Sequence, residues 1–194
     1  MFIPKQFAIS DSDEIYQFIQ RNAFGILTTQ HQGRPYATHL PFLLNTEKTH
    51  LHCHLAKLNP QWQSLEEQEA LIVLAGPHDY VSPSWYNSPG VPTWNYQAVH
   101  IYGQCRLMNS TEQLEEMVAA LSHEYEQNFE KPWQPNYNPR MLNAIVGVEI
   151  EITDIQCKYK LSQNKPIEDR EQVINELEAR GSHQLATAMK SQRP

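Results

Sequence analysis

Two segments of the chain alternate apolar and polar side chains with a period of two residues, and this pattern restricts the fold to one built on long strands. The first segment covers residues 98–108 and the second covers residues 146–155. Successive side chains of a strand point to opposite faces of a sheet, so strict alternation predicts strands with one buried face. We therefore expect two long strands in the second half of the chain.

Shorter predicted strands follow one another in the first half. Residues 25–29 and 36–44 flank a polar loop that contains Gly33, which predicts a hairpin with that glycine at positive φ. A third strand is expected at 49–55, and the apolar run 70–75 has the length of a buried strand. Strands joined by short turns favour an antiparallel meander or barrel over a parallel sheet.

Helices are predicted around these strands. An amphipathic helix should begin after Ser10, and Ser110 with Gln113 forms a capping box before a helix of about four turns. Residues 60–69 are expected to form a short helix, and two more helices should end at Arg180 and cover 183–190. Gly76 and Pro77 should end the preceding strand, and residues 78–96 should form an ordered, irregular loop. About six strands and these helices make an α+β chain.

Composition excludes several classes of protein. No stretch approaches the roughly 20 apolar residues of a membrane helix, and the N-terminus lacks a secretory pattern, so we expect a cytoplasmic protein. The formal net charge of −7 argues against direct DNA binding, which usually requires a basic face. Cys53, Cys105 and Cys157 lie far apart without a C-x-x-C pair, which indicates reduced structural thiols.

Candidate site residues lie in four clusters, at 38–42, at 54–62, at 82–86 with 91–96, and at 158–166. In the second cluster, His54, Lys57 and Asn59 precede the helix expected from Pro60, and a cation beside free helix N–H groups suits a phosphate. An ordinary solvated loop would give the same spacing. The aromatic residues of the third cluster could flank a planar ligand, or they could pack a loop or a subunit interface.

Taken together and in this order, the four clusters resemble the PaiB-type family of FMN-binding negative transcriptional regulators, a branch of the pyridoxamine-phosphate-oxidase-like split barrels. The resemblance runs from Phe2-Ile3-Pro4 through residues 160–164 into the C-terminal helices. It implies an antiparallel split β-barrel with peripheral and C-terminal helices, and a homodimer that holds one FMN in each of two interfacial clefts. We expect the barrel domain at 1–166 and a helical extension packed on it at 167–194.

The resemblance also implies which residues bind the cofactor. The strand residues that would offer hydrogen bonds to the isoalloxazine edge are Thr38, His39, Leu40 and Pro41. Those that would gather around the ribityl phosphate are His54, Lys57, Asn59 and Gln61. The aromatic loop would contribute Trp85, Trp94 and Asn95, and the cleft would be closed by Lys158, Lys160, Ser162, Gln163 and Asn164.

Three functions are compatible with this pattern. The first is a flavin-binding regulator, in which FMN occupancy or redox state alters the dimer. The second is an FMN-dependent oxidoreductase that takes a hydride from NAD(P)H or another small donor, and it needs no catalytic acid in the sequence because the flavin supplies the chemistry. The third is a haem-handling protein.

His50, His52 and His54 share one strand face and could bind zinc or haem, but alternating polar residues are more typical of a solvated face, so we predict no metal site.

Overall fold

The computed structural model describes residues 1–108 and 110–192. Its strands are β1 (Ala8–Ile9), β2 (Phe24–His31), β3 (Arg34–Pro41), β4 (Leu43–Leu44), β5 (His50–Ala56), β6 (Glu69–Val81), β7 (Thr93–Leu107) and β8 (Ile145–Lys160). Its helices are α1 (Ser12–Arg21), α2 (Thr111–Glu126), α3 (Pro139–Leu142), α4 (Ile167–Ala179) and α5 (His183–Ser191). Short 3-10 turns occur at Lys5–Phe7, Pro60–Ser64 and Pro83–Trp85.

The strands form one sheet in the order β3-β2-β6-β7-β8-β5-β4, and β1 also pairs with β8. The pairs β1–β8, β2–β3, β2–β6, β4–β5 and β5–β8 are all antiparallel. The predicted α+β class with an antiparallel sheet is therefore confirmed, and the sheet has eight strands instead of about six.

The β2–β3 hairpin closes on a two-residue turn. Gln32 and Gly33 have φ angles of 52° and 74°, and His31 pairs with Arg34 across them. Two positive φ angles are typical of a type I′ turn, whose twist suits a hairpin. The predicted position of Gly33 is thus confirmed, and the short turn fixes the register of the whole hairpin.

This register decides which backbone groups of β3 face its neighbour. In an antiparallel pair, residues alternate between hydrogen-bonded and non-hydrogen-bonded positions. The pair His31–Arg34 beside the turn is hydrogen-bonded, so Arg34 and every second residue through Leu40 direct their backbone groups toward β2. The residues between them direct their backbone groups to the opposite edge of the strand: Pro35, Ala37, His39 and Pro41. Because β3 ends the strand order, that edge pairs with no further strand among the residues described.

Several predicted boundaries are wrong. Gly76 and Pro77 lie inside β6 instead of ending it; a Cβ at Gly76 would approach the Phe18 ring to 2.7 Å, so this glycine permits close packing and does not break the strand. The irregular loop expected at 78–96 is correspondingly shorter, because β6 extends to Val81 and β7 begins at Thr93. The helix expected at 60–69 is only the 3-10 turn Pro60–Ser64, since β6 already begins at Glu69.

The chain divides into two compact units, and each is described by itself. The first unit contains Met1–Phe18, Ala75–Val99 and the chain from Gln156 onward, and the second contains Ile19–Leu74 and His100–Ile155. Buried residues of the first unit include Phe7, Phe18, Val81, Val99, Leu161, Val173, Leu177 and Leu185. Those of the second include Leu27, Leu51, Leu55, Leu65, Ile72, Leu74, Ile101 and Ile150. The boundary predicted after residue 166 stays a prediction, and residues 193–194 of the proposed extension lie outside the described residues.

The three cysteines are free and buried, as predicted. Burial raises the pKa of Cys105 and of Cys157 to about 12, and it also raises the pKa of Cys53. Such thiols stay protonated and fill space as small apolar groups.

In the described ranges, no helix has the length and apolar content needed to cross a bilayer.

Candidate functional site

Three of the predicted site residues in the second unit are joined by hydrogen bonds. Thr38 Oγ1 donates to Gln61 Oε1 over 2.6 Å, and Asn59 Nδ2 donates to Thr38 Oγ1 over 3.0 Å. The Gln61 backbone N–H donates to Asn59 Oδ1 over 3.0 Å and closes the set. The structure therefore connects strand β3 to the turn that follows β5.

Gln61 is the buried centre of this network, with 0 % of its surface exposed. Its side-chain nitrogen donates to Thr29 Oγ1 over 2.8 Å and lies 3.3 Å from the carbonyl oxygens of Leu27 and Tyr36. Buried amides need such partners, and every polar atom of this side chain has one. The predicted contact of Gln61 with a phosphate stays a prediction, and this geometry favours a role in positioning Thr38 and Asn59.

The side chains of His54 and Lys57 each carry a polar group without a protein partner in the part of the chain described. His54 Nδ1 is buried and accepts or donates no hydrogen bond within the described residues, and burial lowers the pKa of the ring below 6.5. The Lys57 backbone is fixed, because its N–H donates to Ala144 O over 2.8 Å and its carbonyl accepts from Trp62 Nε1 over 2.9 Å. The Lys57 ammonium, in contrast, is exposed and forms no ion pair in the part of the chain described.

The helix that was expected to help bind an anion here is much weaker than predicted. Pro60–Ser64 is a five-residue 3-10 turn, and the Asn59 side chain already accepts from the Gln61 N–H at its start. A turn of this length has no substantial dipole, and the Asn59 side chain already occupies one of its backbone N–H donors. The argument for an anion at this position therefore rests on Lys57 and not on a helix terminus.

Among the four predicted residues of β3, the register singles out His39. The backbone groups of Thr38 and Leu40 are directed to β2, and Pro41 has no N–H, so His39 alone of the four has its N–H at the free edge of the strand. Its imidazole is exposed and stacks near Phe24 with a centroid distance of 6.3 Å.

In the first unit, Asn95 and Ser162 form a buried pair. Asn95 Nδ2 donates to Ser162 Oγ over 2.9 Å and also lies 3.5 Å from Met189 Sδ. Gln163 is bound locally, since it accepts from Leu161 N over 2.7 Å and donates to Tyr159 O over 2.6 Å. Asn164 is exposed. The structure thus brings Asn95 and Ser162 together and uses Gln163 to hold its own turn.

Lys158 and Lys160 are two cations held by neutral groups. Lys158 is 8 % exposed, and its Nζ donates to Phe2 O over 3.1 Å and lies 5.2 Å from the centre of the Tyr96 ring. Lys160 Nζ donates to Thr93 Oγ1 over 2.6 Å and to Trp94 O over 2.5 Å. Burial, followed by the charge of Lys158, lowers the pKa of Lys160. Neither lysine pairs with a carboxylate in the described ranges.

The two predicted tryptophans differ in their surroundings. Trp85 is half-buried and Arg180 lies over its ring at 5.5 Å. Trp94 is 54 % exposed and stands beside His78 and Tyr80, at centroid distances of 6.4 and 6.2 Å. Of the two rings, only Trp94 presents a large free surface.

Sequence reasoning missed the carboxylate that fixes the aromatic loop. Asp169 accepts hydrogen bonds from the Asn87 N–H and from the Ser88 N–H and hydroxyl, although only 1 % of its surface is exposed. The Ser88 hydroxyl, with these N–H groups, lowers the pKa of Asp169. The only signal in the sequence is its position in the first turn of a helix after Pro166, where acidic residues are common.

Solved structures with the same architecture are split-barrel proteins. A flavocytochrome from Azotobacter vinelandii matches with a TM-score of 0.67 at 15 % identity, over 84 % of this chain and 74 % of its own. An FAD and heme binding protein from Mycobacterium smegmatis matches with a TM-score of 0.66 at 12 % identity, over 84 % and 77 %. The fold is thus the predicted split β-barrel.

Sequence relatives define the family. A family model described as "Putative FMN-binding domain" matches residues 1–154. The chain is 42 % identical over 187 residues to Protease synthase and sporulation protein PAI 2 of Bacillus subtilis, covering 92 % of this chain and 89 % of that protein. It is 31 % identical over 217 residues to an uncharacterised protein of Emericella nidulans, covering 87 % and 86 %. The chain belongs to the PaiB-type family of FMN-binding regulators, and FMN is its cofactor.

The residues of the second unit fit this cofactor. A phosphate needs a cation, which Lys57 supplies without a competing carboxylate. A buried imidazole nitrogen without a partner, as in His54, is costly unless a ligand or water satisfies it. The edge of a heteroaromatic ring needs backbone donors, and the unpaired edge of β3 supplies the His39 N–H. The family assignment and the local chemistry therefore agree.

Proposed function

We infer that this chain acts as a cytoplasmic homodimer that binds FMN noncovalently and responds to its occupancy or redox state. The observation that carries this proposal is the pair of unpartnered polar groups at the end of β5, the buried His54 Nδ1 and the exposed Lys57 ammonium. They lie three residues apart, in a chain whose family binds FMN.

At the phosphate end, Lys57 supplies the charge. Asn59 is held in place by its hydrogen bonds with Gln61 and Thr38, so it offers polar atoms at low entropic cost. His54 is neutral near pH 7 because its pKa is lowered, so its free Nδ1 can bind a polar atom of the cofactor without an added charge. Gln61 positions Thr38 and Asn59, and its own contact with the phosphate is a further part of this proposal.

At the ring end, β3 contributes its free edge. The His39 N–H would donate to an acceptor on the isoalloxazine edge, and Thr38, Leu40 and Pro41 would form the surface beside it. When bound, FMN would supply hydride or single-electron chemistry, and these residues would orient the ring.

The residues of the first unit stay proposed contacts of FMN. Lys158 and Lys160 carry charges that no carboxylate neutralises in the described ranges, which favours an anionic or electron-rich ligand. Trp85, Trp94 and Asn95 offer aromatic and amide surface, and Ser162, Gln163 and Asn164 form the turn after β8.

Dimerisation is supported by an exposed apolar face of the second unit. Phe24 is 64 % exposed on β2, and Ile26, beside it on the same face, pairs with Val73 of β6. Leu71 continues the face, and Ile26, Leu71 and Val73 are each only partly buried. Apolar sheet surface of this kind is unfavourable in water and suits a second copy of the chain.

Regulation through the flavin fits the charge of the protein better than direct DNA binding. A net charge of −7 repels phosphates, and no basic helix stands out in the sequence. We therefore place the regulatory signal in FMN binding and in protein contacts that depend on it.

A titration of the purified protein with FMN, followed by flavin fluorescence, tests the proposal. Riboflavin is the matched control because it lacks the phosphate, and we expect it to bind more weakly than FMN. Equal affinity for both would remove Lys57 and its neighbours from a phosphate site. Sedimentation velocity on the same sample tests the dimer, and a monomer with bound FMN would refute the interfacial cleft.

Anaerobic addition of NADH or NADPH to the complex then separates the two flavin functions. Slow or absent bleaching of the flavin supports a sensor or regulator. Rapid bleaching would instead identify an FMN-dependent oxidoreductase.

A further inference from the structure

A pocket lies in the second unit, and none of the residues proposed to bind FMN lines it. Its volume is about 490 Å³, within the range of roughly 300–1,000 Å³ typical of small-molecule sites. It is lined by Leu43, His52, Arg106, Leu107, Met108, Gln113, Glu116, Met117, Ala120 and Glu149. Five elements therefore meet around it: β4, β5, the end of β7, α2 and β8.

Two opposite charges line this pocket without pairing. Arg106 and Glu116 are both exposed, and neither forms an ion pair with the other or with a further residue in the described part of the chain. Glu149 differs, because its Oε2 lies 3.2 Å from His52 Nε2. The pocket thus offers one guanidinium and one carboxylate that form no ion pair in the described part of the chain.

The rest of the wall is apolar and adaptable. Met117 is buried, and Met108 and Leu43 are partly buried. The Met108 backbone is fixed by a hydrogen bond of 2.9 Å to Gly147 O, and its side chain packs against the buried cluster of Leu114, Met117 and Leu142. Unbranched methionine side chains pack against apolar groups of varied shape, so this floor suits an aliphatic or aromatic side chain.

We propose that this pocket binds a small zwitterion with an apolar body, namely an α-amino acid with an apolar side chain. Its carboxylate contacts Arg106 through the guanidinium fork, its ammonium contacts Glu116, and its side chain lies on Met108, Met117 and Leu43. A simple acid or amine would contact only one of the two protein charges, and the loss of one charge-assisted contact favours the zwitterion. The site is independent of FMN, and through it a regulator would bind and respond to a second small molecule.

The test is isothermal titration calorimetry of the purified protein with L-leucine, L-methionine and L-phenylalanine. Two analogues of leucine separate its charged groups, since 4-methylpentanoate lacks the ammonium and 3-methylbutylamine lacks the carboxylate. We expect saturable binding of at least one amino acid. We expect each analogue of leucine to bind about tenfold more weakly or worse than leucine, the usual effect of losing a charged hydrogen bond.

Variants locate the site. Arg106→Gln and Glu116→Gln should each weaken amino-acid binding by about tenfold or more, and Ala120→Trp should abolish it by filling the pocket from an exposed position of α2. Glu115→Gln is the matched control, because Glu115 is exposed on the same helix and does not line the pocket. FMN titration and circular dichroism of every variant confirm that the fold is retained.

Three results would overturn the proposal. The first is no binding of any of the three amino acids at millimolar concentration. The second is equal binding of leucine and either analogue, which would mean that only one charge is recognised. The third is binding that Arg106→Gln, Glu116→Gln and Ala120→Trp leave unchanged, which would place the ligand elsewhere.

Discussion

The Thr38 hydroxyl donates a hydrogen bond of 2.6 Å to the side-chain carbonyl of Gln61, a residue with no exposed surface. Replacing Gln61 by leucine would keep its volume but remove the partners of Thr38 and Thr29 inside the protein. We expect Gln61→Leu to lower the free energy of unfolding by about 2–3 kcal/mol, measured by urea denaturation. Gln134→Leu, at an exposed position, is the control and should change stability little. Similar stability of the two variants would show that the network contributes nothing.

Lys57 is expected to bind the phosphate of FMN. Lys57→Ala should weaken FMN binding by about 1.5–3 kcal/mol, the usual loss of a hydrogen bond to a charged group, measured by flavin fluorescence. Lys131→Ala removes an exposed lysine of the same unit and should leave the affinity unchanged. If Lys57→Ala also leaves it unchanged, Lys57 does not contact the phosphate.

His54 should make the protein less stable in mild acid. Burial holds the pKa of His54 below 6.5 in the folded protein, so the unfolded chain takes up the proton first. Stability therefore falls as pH falls through the ordinary histidine value of 6.5, and well above that value this group makes no pH-dependent contribution. We expect His54→Gln to show a smaller loss of unfolding free energy than the wild type between about pH 7.5 and about pH 5.5. His123→Gln, at an exposed position, should retain the wild-type slope, and an identical slope in all three proteins would contradict the assignment.

Gly76 should not tolerate a side chain. An alanine Cβ there would lie 2.7 Å from the Phe18 ring, closer than atoms pack, so Gly76→Ala should lower the unfolding free energy by about 1–3 kcal/mol. Gly33→Asn is the comparison, because asparagine tolerates positive φ and nothing lies within 4 Å of a Cβ at Gly33. A Gly76→Ala protein as stable as Gly33→Asn would show that Phe18 moves aside at little cost.

The three cysteine thiols should not react with a reagent that requires the thiolate form. All three cysteines are buried, and the pKa values of Cys105 and Cys157 are raised to about 12. We expect 5,5′-dithiobis(2-nitrobenzoic acid) to label none of them in the native protein at neutral pH and to label all three after denaturation. Labelling of the native protein would reveal local opening around the reactive cysteine.

The sequence predicted the fold class, the hairpin and the cysteines well, because period-two alternation and turn glycines are local signals. It misplaced the end of β6, since Gly76 and Pro77 have the composition of a break, and it also made β7 and β8 too short. The contact that makes Gly76 necessary involves Phe18, which lies far away in the sequence. Spacing alone carries no information about such contacts.

The grouping of the residues around Lys57 follows from their order along the chain, and their contact with FMN stays a prediction. In contrast, the internal role of Gln61 depends on Thr29, Thr38 and the carbonyl of Leu27, which only the folded chain brings together. Asp169 shows the same limit, because its partners Asn87 and Ser88 precede it by about eighty residues.

The two prolines of β3 have a consequence for association between molecules. A strand from another chain could add to the free edge only by bonding to the N–H groups that face outward, and at Pro35 and Pro41 those groups do not exist. Only Ala37 and His39 can donate, so a continuous intermolecular ladder cannot form there. The strand can therefore offer an amide to a small planar molecule and still resist the edge-to-edge pairing that leads to aggregation.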